Sequence, residues 1–327
     1  MKKQYILIIK IFLSAAILAI LFIKIPVTEI ASSLSSANLV YIAAGFLIYL
    51  IYHFLSAVET SYLTNVQVIK ISSIQILKIH FVTMFYNLFL PGLISGGAVK
   101  WYKLSKFGSK ADAAAVVAFN RFLETLMIVI TGIIFSIPVI INTKYHNFIY
   151  LLLILLVIIL VTYFLILNDN FLNLLNKIVL KIPLPLKVKE AFSKLIISMN
   201  KFRKLTIKEN IQIFSLLFFY HILGFVVAYL LAISLNINLT FFDIAWMRAA
   251  INILTMLPIS FAGLGVREVS LVFFMENYGV KPDTAIAYSL LIFFNALLIS
   301  LIGGLLELIN LLTDKKVISE RETGKYS

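Results

Sequence analysis

The chain contains no cysteine and only four histidines among its 327 residues. The lack of cysteine excludes disulfides, thiolate metal sites and thiol nucleophiles together. The histidines are too scattered to predict a metal site, so we expect neither a metal nor a cofactor. Charged residues are also scarce, at 13% of the chain, which is about half the share found in soluble proteins. These shortages argue against a soluble fold.

Apolar residues make up 61% of the chain, and the mean hydropathy is +1.02. Apolar runs long enough to cross a bilayer recur throughout. We predict an all-α polytopic membrane protein that forms a single transmembrane domain over residues 1–327. The predicted spanning helices are 5–23, 39–63, 111–141, 148–167, 208–235 and 283–312. No small-residue cleavage site follows the first run, which favours a retained helix over a signal peptide.

The net charge of +13 is concentrated in four segments: the N-terminus, 100–110, 177–208 and the C-terminus. Basic loops of membrane proteins stay in the cytoplasm, so all four segments and both chain ends are predicted there. This distribution indicates membrane topology and not binding to nucleic acid. In segment 177–208, apolar residues alternate with lysines, which predicts a basic amphipathic helix on an anionic leaflet.

A helix-breaking Leu-Pro motif occurs once in each half of the chain. Residues 90–100 and 257–267 both follow the pattern Leu-Pro-x4-Gly-x2-Val, with Lys100 or Arg267 next. The two prolines, Pro91 and Pro258, are separated by about half the chain. Paired interrupted segments at matching places in the two halves of a membrane protein indicate a transport site.

The charge pattern predicts that each interrupted stretch is a re-entrant helical hairpin. Stretch 72–99 begins and ends near cytoplasmic lysines, whereas stretch 241–279 begins and ends on the outer side. Irregular backbone at membrane depth requires protein or a wet cavity around it, so the two breaks are expected to meet in the interior. Two ordinary spans kinked at proline are the alternative.

Further matches between the halves predict an inverted repeat. The matching pairs keep the same order around the two prolines: Tyr52-His53 with Tyr220-His221, and Phe119-Asn120 with Phe294-Asn295. Each unit would consist of a helix, a hairpin and a helix, over about 39–141 and 208–312. The charge rule gives the units opposite orientations, as in many transporters.

Both helices that leave the breaks carry a cation in the first turn, Lys100 or Arg267. A cation there opposes the helix dipole by about 0.3–1 kcal/mol. A phosphate bound between the free backbone N–H groups and the basic side chain would explain the arrangement. Glycines allow close backbone approach, and they occur at Gly92, Gly96, Gly97, Gly263 and Gly265. For Lys100 the alternative is a side chain that reaches the cytoplasmic surface.

Ionisable residues inside apolar sequence are costly, at roughly 2.5–3.5 kcal/mol each at a helix centre, and are therefore functional candidates. Arg121 and Glu124 either contact a headgroup or neutralise each other as an i,i+3 pair. Glu59 and Glu307 lie near the ends of predicted helices, which predicts positions at the membrane interface. The candidate lipid-binding residues are Asn87, Pro91, Gly92, Gly96, Gly97, Lys100, Arg121, Glu124, Arg248, Pro258, Ser260, Gly263, Gly265, Arg267 and Glu268. No catalytic or metal-ligating residue is predicted.

Three of these patterns resemble the signatures of the flippase-like integral membrane family, which is typified by the transmembrane, lipid-flipping region of bacterial lysylphosphatidylglycerol synthases. They are 87–92 with Gly96-Gly97, Arg121 with Glu124, and 257–268. The resemblance covers nearly the whole chain. It implies a plasma (inner) membrane protein that moves anionic or headgroup-modified lipids between leaflets, with Arg121, Glu124, Arg267 and Glu268 as polar pathway residues. Lipid aminoacylation is not expected, because the chain leaves no room for the soluble synthase domain.

Three functions remain open from the sequence. The first is a lipid transporter whose main partner is anionic membrane lipid. Because no nucleotide-binding motif is present, it would be driven by a gradient or by lipid imbalance, and passive scrambling is equally compatible with the sequence. The second is a membrane glycosyl- or lipid-headgroup transferase, for which the predicted outer loops offer only Glu29, Asp243, Glu276 and Asp283. The third is a non-transporting accessory subunit of a lipid or envelope pathway. Homo-oligomerisation and association with a partner enzyme of lipid or envelope biosynthesis are both compatible with the sequence.

Overall fold

The computed structural model describes residues 25–89, 93–140, 146–183, 185–256 and 265–322. Within these ranges the chain forms helices and no strand, which confirms the all-α prediction. The α-helices in the described ranges are α1 (Val27–Ser35), α2 (Leu39–Val66), α3 (Ser73–Phe89), α4 (Leu93–Leu104), α5 (Lys110–Ile140), α6 (His146–Ile166), α7 (Asp169–Lys181), α8 (Leu186–Asn200), α9 (Ile207–Ser234), α10 (Phe241–Met256), α11 (Val266–Glu276) and α12 (Pro282–Glu322). A 3-10 helix, Lys201–Lys204, follows α8.

Four helices are long and apolar enough to cross a membrane: α2, α5, α9 and α12. A fifth candidate is the pair α6 and α7, which is bent by 85° at a short break. These candidates coincide with the five predicted spans that begin at residue 39 or later. The remaining predicted span, 5–23, lies outside the described residues. The chain is therefore a multi-pass membrane protein.

Polar side chains define where several helices begin. The side chain of Asn38 accepts a hydrogen bond from the Val40 N–H at the start of α2, at 2.9 Å. At the start of α9, Thr206 and Glu209 form a capping box, in which each side chain accepts the other residue's backbone N–H. These contacts satisfy backbone donors that have no partner within the helix.

Each interrupted stretch contains two helices that pack against each other, and we call these helix pairs the first and the second hairpin. In the first hairpin, α3 packs on α4, and a Cβ added at Gly96 would lie 2.5 Å from the amide oxygen of Asn87. In the second, α10 packs on α11, and the rings of Trp246 and Phe274 are 5.1 Å apart. The breaks themselves lie outside the described residues, and so do the predicted site residues Pro91, Gly92, Pro258, Ser260 and Gly263.

The helix contacts of the first half recur in the second. Helix α2 packs along α9, while α3 packs on α12 and α10 packs on α5. The contacts α2–α3, α4–α5 and α2–α5 have counterparts in α9–α10, α11–α12 and α9–α12. If each of helices α2, α3, α4 and α5 is exchanged with α9, α10, α11 and α12 in the same order, the same set of contacts results.

Glycines allow close approach at two of these corresponding interfaces. A methyl group at Gly303 of α12 would overlap the backbone carbonyl of Phe81 in α3. At Gly132 of α5, an added Cβ would lie 3.1 Å from the Cβ of Ala249 in α10. Small residues at helix contacts are typical of membrane bundles, where tight van der Waals packing drives association.

The basic segment 177–208 forms the end of α7, then α8 and the 3-10 helix, in place of one continuous helix. Its end is fixed to the start of α5, because Asp112 accepts hydrogen bonds from Lys201 Nζ at 2.5 Å and Ser198 Oγ at 2.8 Å. The ring of Phe202 also stacks on Phe119, with centroids 4.1 Å apart. Apolar side chains of α7 and α8 remain exposed, among them Leu174, Ile178, Phe192 and Ile197.

Candidate lipid-binding cavity

A cavity of about 230 Å³ lies between α2, α9, α10, α11 and α12. Six polar or charged side chains line it: Tyr49, Arg248, Asn252, Thr255, Arg267 and Asn295. The rest of the wall is apolar and includes Val227, Leu231 and Ile292. A smaller cavity of about 40 Å³ also borders both arginines and reaches Tyr288. Two guanidinium groups that line one cavity together with amides and hydroxyls form a site suited to an anion.

Arg248 projects from the first arm of the second hairpin and is half-buried. Among the described residues, none of the ion pairs includes Arg248. Gly224 of α9 lies beside it, and a Cβ there would make ordinary van der Waals contacts with Arg248 Nε at 3.7 Å and with the ring of Tyr52 at 3.4 Å. A half-buried guanidinium without an ion pair among the described residues carries a positive charge that an anionic ligand would balance.

Arg267 reaches the same cavity from the start of α11, but it is paired. Its Nη2 donates to Glu268 Oε1 at 2.7 Å, and its Nε donates to the Ser289 hydroxyl at 3.0 Å. Glu268 is only 5% exposed and also accepts the Gly265 backbone N–H at 2.7 Å. Gly265 has a φ of 82°, a left-handed conformation that favours glycine. The helix start thus fixes Glu268, and Glu268 holds Arg267 at the cavity wall.

A second polar cluster lies in the first half and includes Lys100. Its ammonium donates to Asn120 Oδ1 at 2.6 Å and lies 3.5 Å from the Thr60 hydroxyl. Asn120 Nδ2 in turn donates to Glu59 Oε2 at 2.8 Å. The alternative of Lys100 reaching the cytoplasmic surface is therefore wrong, because its ammonium is bound inside the bundle. The cluster joins α2, α4 and α5.

Among the described residues, the candidates Asn87, Gly96, Gly97, Arg121 and Glu124 do not line the cavity. Arg121 Nη1 lies 3.5 Å from Glu124 Oε2, and the Arg121 side chain is 52% exposed. This geometry matches the i,i+3 pair that was the alternative interpretation. Asn87 and Gly96 face each other beside the break of the first hairpin, and a Cβ at Gly97 would contact Val117 of α5 at 3.7 Å.

Several residues of these clusters were missed by the sequence-based set. Arg248, Asn252 and Thr255 share one face of α10 at i, i+4 and i+7, a spacing that could have identified the last two. Glu59 and Glu307, which were predicted only to lie near helix ends at the membrane interface, are 0% and 7% exposed and lie inside polar clusters. Their partners come from helices distant in sequence, so no local signal identifies them.

Glu307 of α12 forms an ion pair with Lys103 of α4 at 2.5 Å and accepts a hydrogen bond from the Tyr86 hydroxyl at 3.1 Å. We expect Lys103→Met to lower the free energy of unfolding by about 1–3 kcal/mol, because Glu307 would remain buried without its counterion. The double change Lys103→Met with Glu307→Leu should recover part of this loss. Thermal unfolding in detergent measures both. Equal unfolding temperatures for the single variant and the wild type would contradict the expectation.

A comparison with protein families identifies one family that the chain matches over most of its length. A family model described as "Lysylphosphatidylglycerol synthase TM region" matches residues 7–304, which include both hairpins, the residues that line the cavity and the cluster around Lys100. No curated protein and no solved structure matches the chain. Because the matched range is most of the chain, the resemblance seen in the motifs is confirmed. The chain belongs to the family of the lysylphosphatidylglycerol synthase transmembrane region.

Proposed function

We propose that this protein moves an anionic or headgroup-modified phospholipid between the two leaflets of the membrane. The proposal depends on the cavity that Arg248 and Arg267 line. Among the described residues, one carboxylate, that of Glu268, pairs with Arg267 and so offsets one of the two positive charges. The remaining positive charge suits the phosphate of a lipid headgroup, which a guanidinium binds through two parallel hydrogen bonds. The family membership supports a membrane function related to lipids.

We further infer that α2–α5 and α9–α12 form an inverted repeat, with the hairpins entering the membrane from opposite faces. The exchangeable set of helix contacts supports this arrangement. So does the pair Tyr52 and Tyr220, which occupy matching positions and whose ring centroids are 5.1 Å apart. Residues that contact their own counterparts are expected beside a twofold axis. Rocking of one unit against the other would expose the cavity to each leaflet in turn.

The proposed location is the plasma membrane, with both termini and the basic segment 177–208 in the cytoplasm. The lysines of this segment and the exposed apolar side chains of α7 and α8 suit an anionic membrane surface. The 85° bend between α6 and α7 supports the same placement, because it would turn the chain from a membrane crossing to the surface.

The transferase alternative receives no support from the carboxylates proposed for it. Asp243 accepts a hydrogen bond from Thr240 at 2.5 Å at the start of α10, and Asp283 accepts one from Ser33 at 2.8 Å. Both contacts fix the ends of helices and do not form a pair suited to acid–base chemistry.

The test is movement of lipid in liposomes that contain the purified protein. Fluorescent phosphatidylglycerol in the inner leaflet becomes accessible to an external, impermeant quencher only after it crosses. We expect faster crossing than in protein-free liposomes, and faster crossing for anionic phospholipids than for phosphatidylcholine. Lack of acceleration for phosphatidylglycerol, lysylphosphatidylglycerol and polyprenyl phosphate alike would refute the proposal.

A further inference from the structure

Glu59 is a fully buried carboxylate in the first half of the bundle, with 0% of the residue exposed. Its Oε2 accepts hydrogen bonds from Asn120 Nδ2 at 2.8 Å and from the Thr60 hydroxyl at 3.3 Å. Its Oε1 is buried and has no hydrogen-bond partner among the described residues. In a membrane interior, a buried carboxylate with an unsatisfied oxygen lowers the stability of the fold by on the order of several kcal/mol. Such a group indicates a ligand that occupies the free oxygen during function.

Charged and titratable side chains from three other helices interact with Glu59: Lys100 on α4, Glu124 on α5 and Tyr220 on α9. Two more, Arg121 on α5 and His80 on α3, interact with Lys100. Lys100 is connected to Glu59 through Asn120 and Thr60. The buried Nε2 of His80 also has no hydrogen-bond partner among the described residues.

The free oxygen suits a proton better than a metal cation. A hard metal ion requires several oxygen ligands at once. The amide oxygen of Asn120 already accepts the Lys100 ammonium at 2.6 Å, and that positive charge would repel a second cation. A proton requires only one carboxylate oxygen, and Oε1 of Glu59 provides it.

We propose that Glu59 is a proton-binding site that couples proton movement to lipid movement, an inference that rests on the proposed function. When Glu59 is ionised, its negative charge balances the ammonium of Lys100. A proton that binds at Oε1 removes this balance and leaves a positive charge in the first half, which favours binding of an anionic headgroup. Loss of the proton on the other side restores the balance and releases the headgroup. One proton and one negative charge thus move together, with no net charge transferred.

The coupling site belongs to one half of the protein. Tyr52 matches Tyr220 in the repeat, so the position equivalent to Glu59 is Val227 on α9. Val227 lines the cavity with Arg248 and Arg267 and cannot bind a proton. The half with Arg248 therefore supplies a permanent positive charge, whereas the half with Lys100 supplies one only when Glu59 is neutral.

The test uses liposomes that contain the full-length protein, fluorescent phosphatidylglycerol and a trapped pH-sensitive dye. For the wild type, we expect the rate of lipid movement to depend on the direction of an imposed pH gradient, with proton movement in the same direction. Glu59→Gln fixes the neutral form, so lipid movement should lose its response to the gradient and proton movement should be absent. Glu276→Gln, at the exposed end of α11, is the matched control and should respond as the wild type does.

Two further measurements separate the possible failures. Equal lipid movement by the wild type with and without a gradient would overturn the coupling and leave the proposed function standing. If the wild type moves no lipid, the proposed function fails, and infrared titration in detergent still tests the proton site. Acidification should then give a protonated carboxyl band that is missing in Glu59→Gln, and its absence from the wild type would overturn the site. If Glu59→Gln does not fold, Lys100→Met replaces it and should also lose the gradient response.

Discussion

Arg248→Gln is expected to slow protein-dependent lipid movement by at least about 30-fold, which corresponds to about 2 kcal/mol of lost interaction with the phosphate. Arg248 lines the cavity, and among the described residues it takes part in no ion pair. Its removal therefore leaves no protein carboxylate without a partner, and the fold should persist. Arg248→Lys keeps the charge but loses the two-pronged contact, so we expect an intermediate rate.

Two comparisons make this result interpretable. Arg203→Gln on the 3-10 helix removes one positive charge from a side chain that is 56% exposed, and it should move lipid at the wild-type rate. Arg267→Gln is a less specific test, because it would leave buried Glu268 without its counterion and disturb the start of α11. Wild-type rates for a well-folded Arg248→Gln protein would exclude the cavity as the lipid path.

The sequence predicted the helices well because hydrophobic runs and caps are local properties. The predicted spans that begin at residue 39 or later correspond to helices of the structure, and the two Leu-Pro stretches correspond to the packed pairs α3–α4 and α10–α11. The sequence also identified Arg248 and Arg267 as candidates, since a cation inside apolar sequence is recognisable without tertiary information.

The sequence could not show which polar residues meet. Glu59, Lys100 and Asn120 come from three helices, and only tertiary packing brings them to one cluster. Arg121 and Glu124 carried a motif of the family, yet they are partly exposed and paired with each other. Membership in a family motif therefore did not indicate which residues line the cavity.

Gly303→Ala should cause the largest loss of stability among single changes in the helix interfaces, with a free energy of unfolding lower by more than about 3 kcal/mol. The new methyl group would overlap the Phe81 carbonyl of α3, and backbone atoms cannot rotate away as a side chain can. Helices α3 and α12 would have to separate. Since α3 is an arm of the first hairpin, lipid movement should fall with stability.

A series of three Gly→Ala changes separates the effect of interhelical contacts on stability from the effect of helix propensity. At Gly45 the new Cβ would lie 3.7 Å from Leu231 Cδ2, an ordinary contact, whereas at Gly132 it would lie 3.1 Å from Ala249 Cβ. All three glycines lie within helices, so each change carries the same favourable propensity of about 1 kcal/mol. Thermal unfolding should therefore rank Gly45→Ala as the most stable, Gly132→Ala as intermediate and Gly303→Ala as the least stable. Equal unfolding temperatures across the series would mean that α3 and α12 do not approach this closely in the membrane.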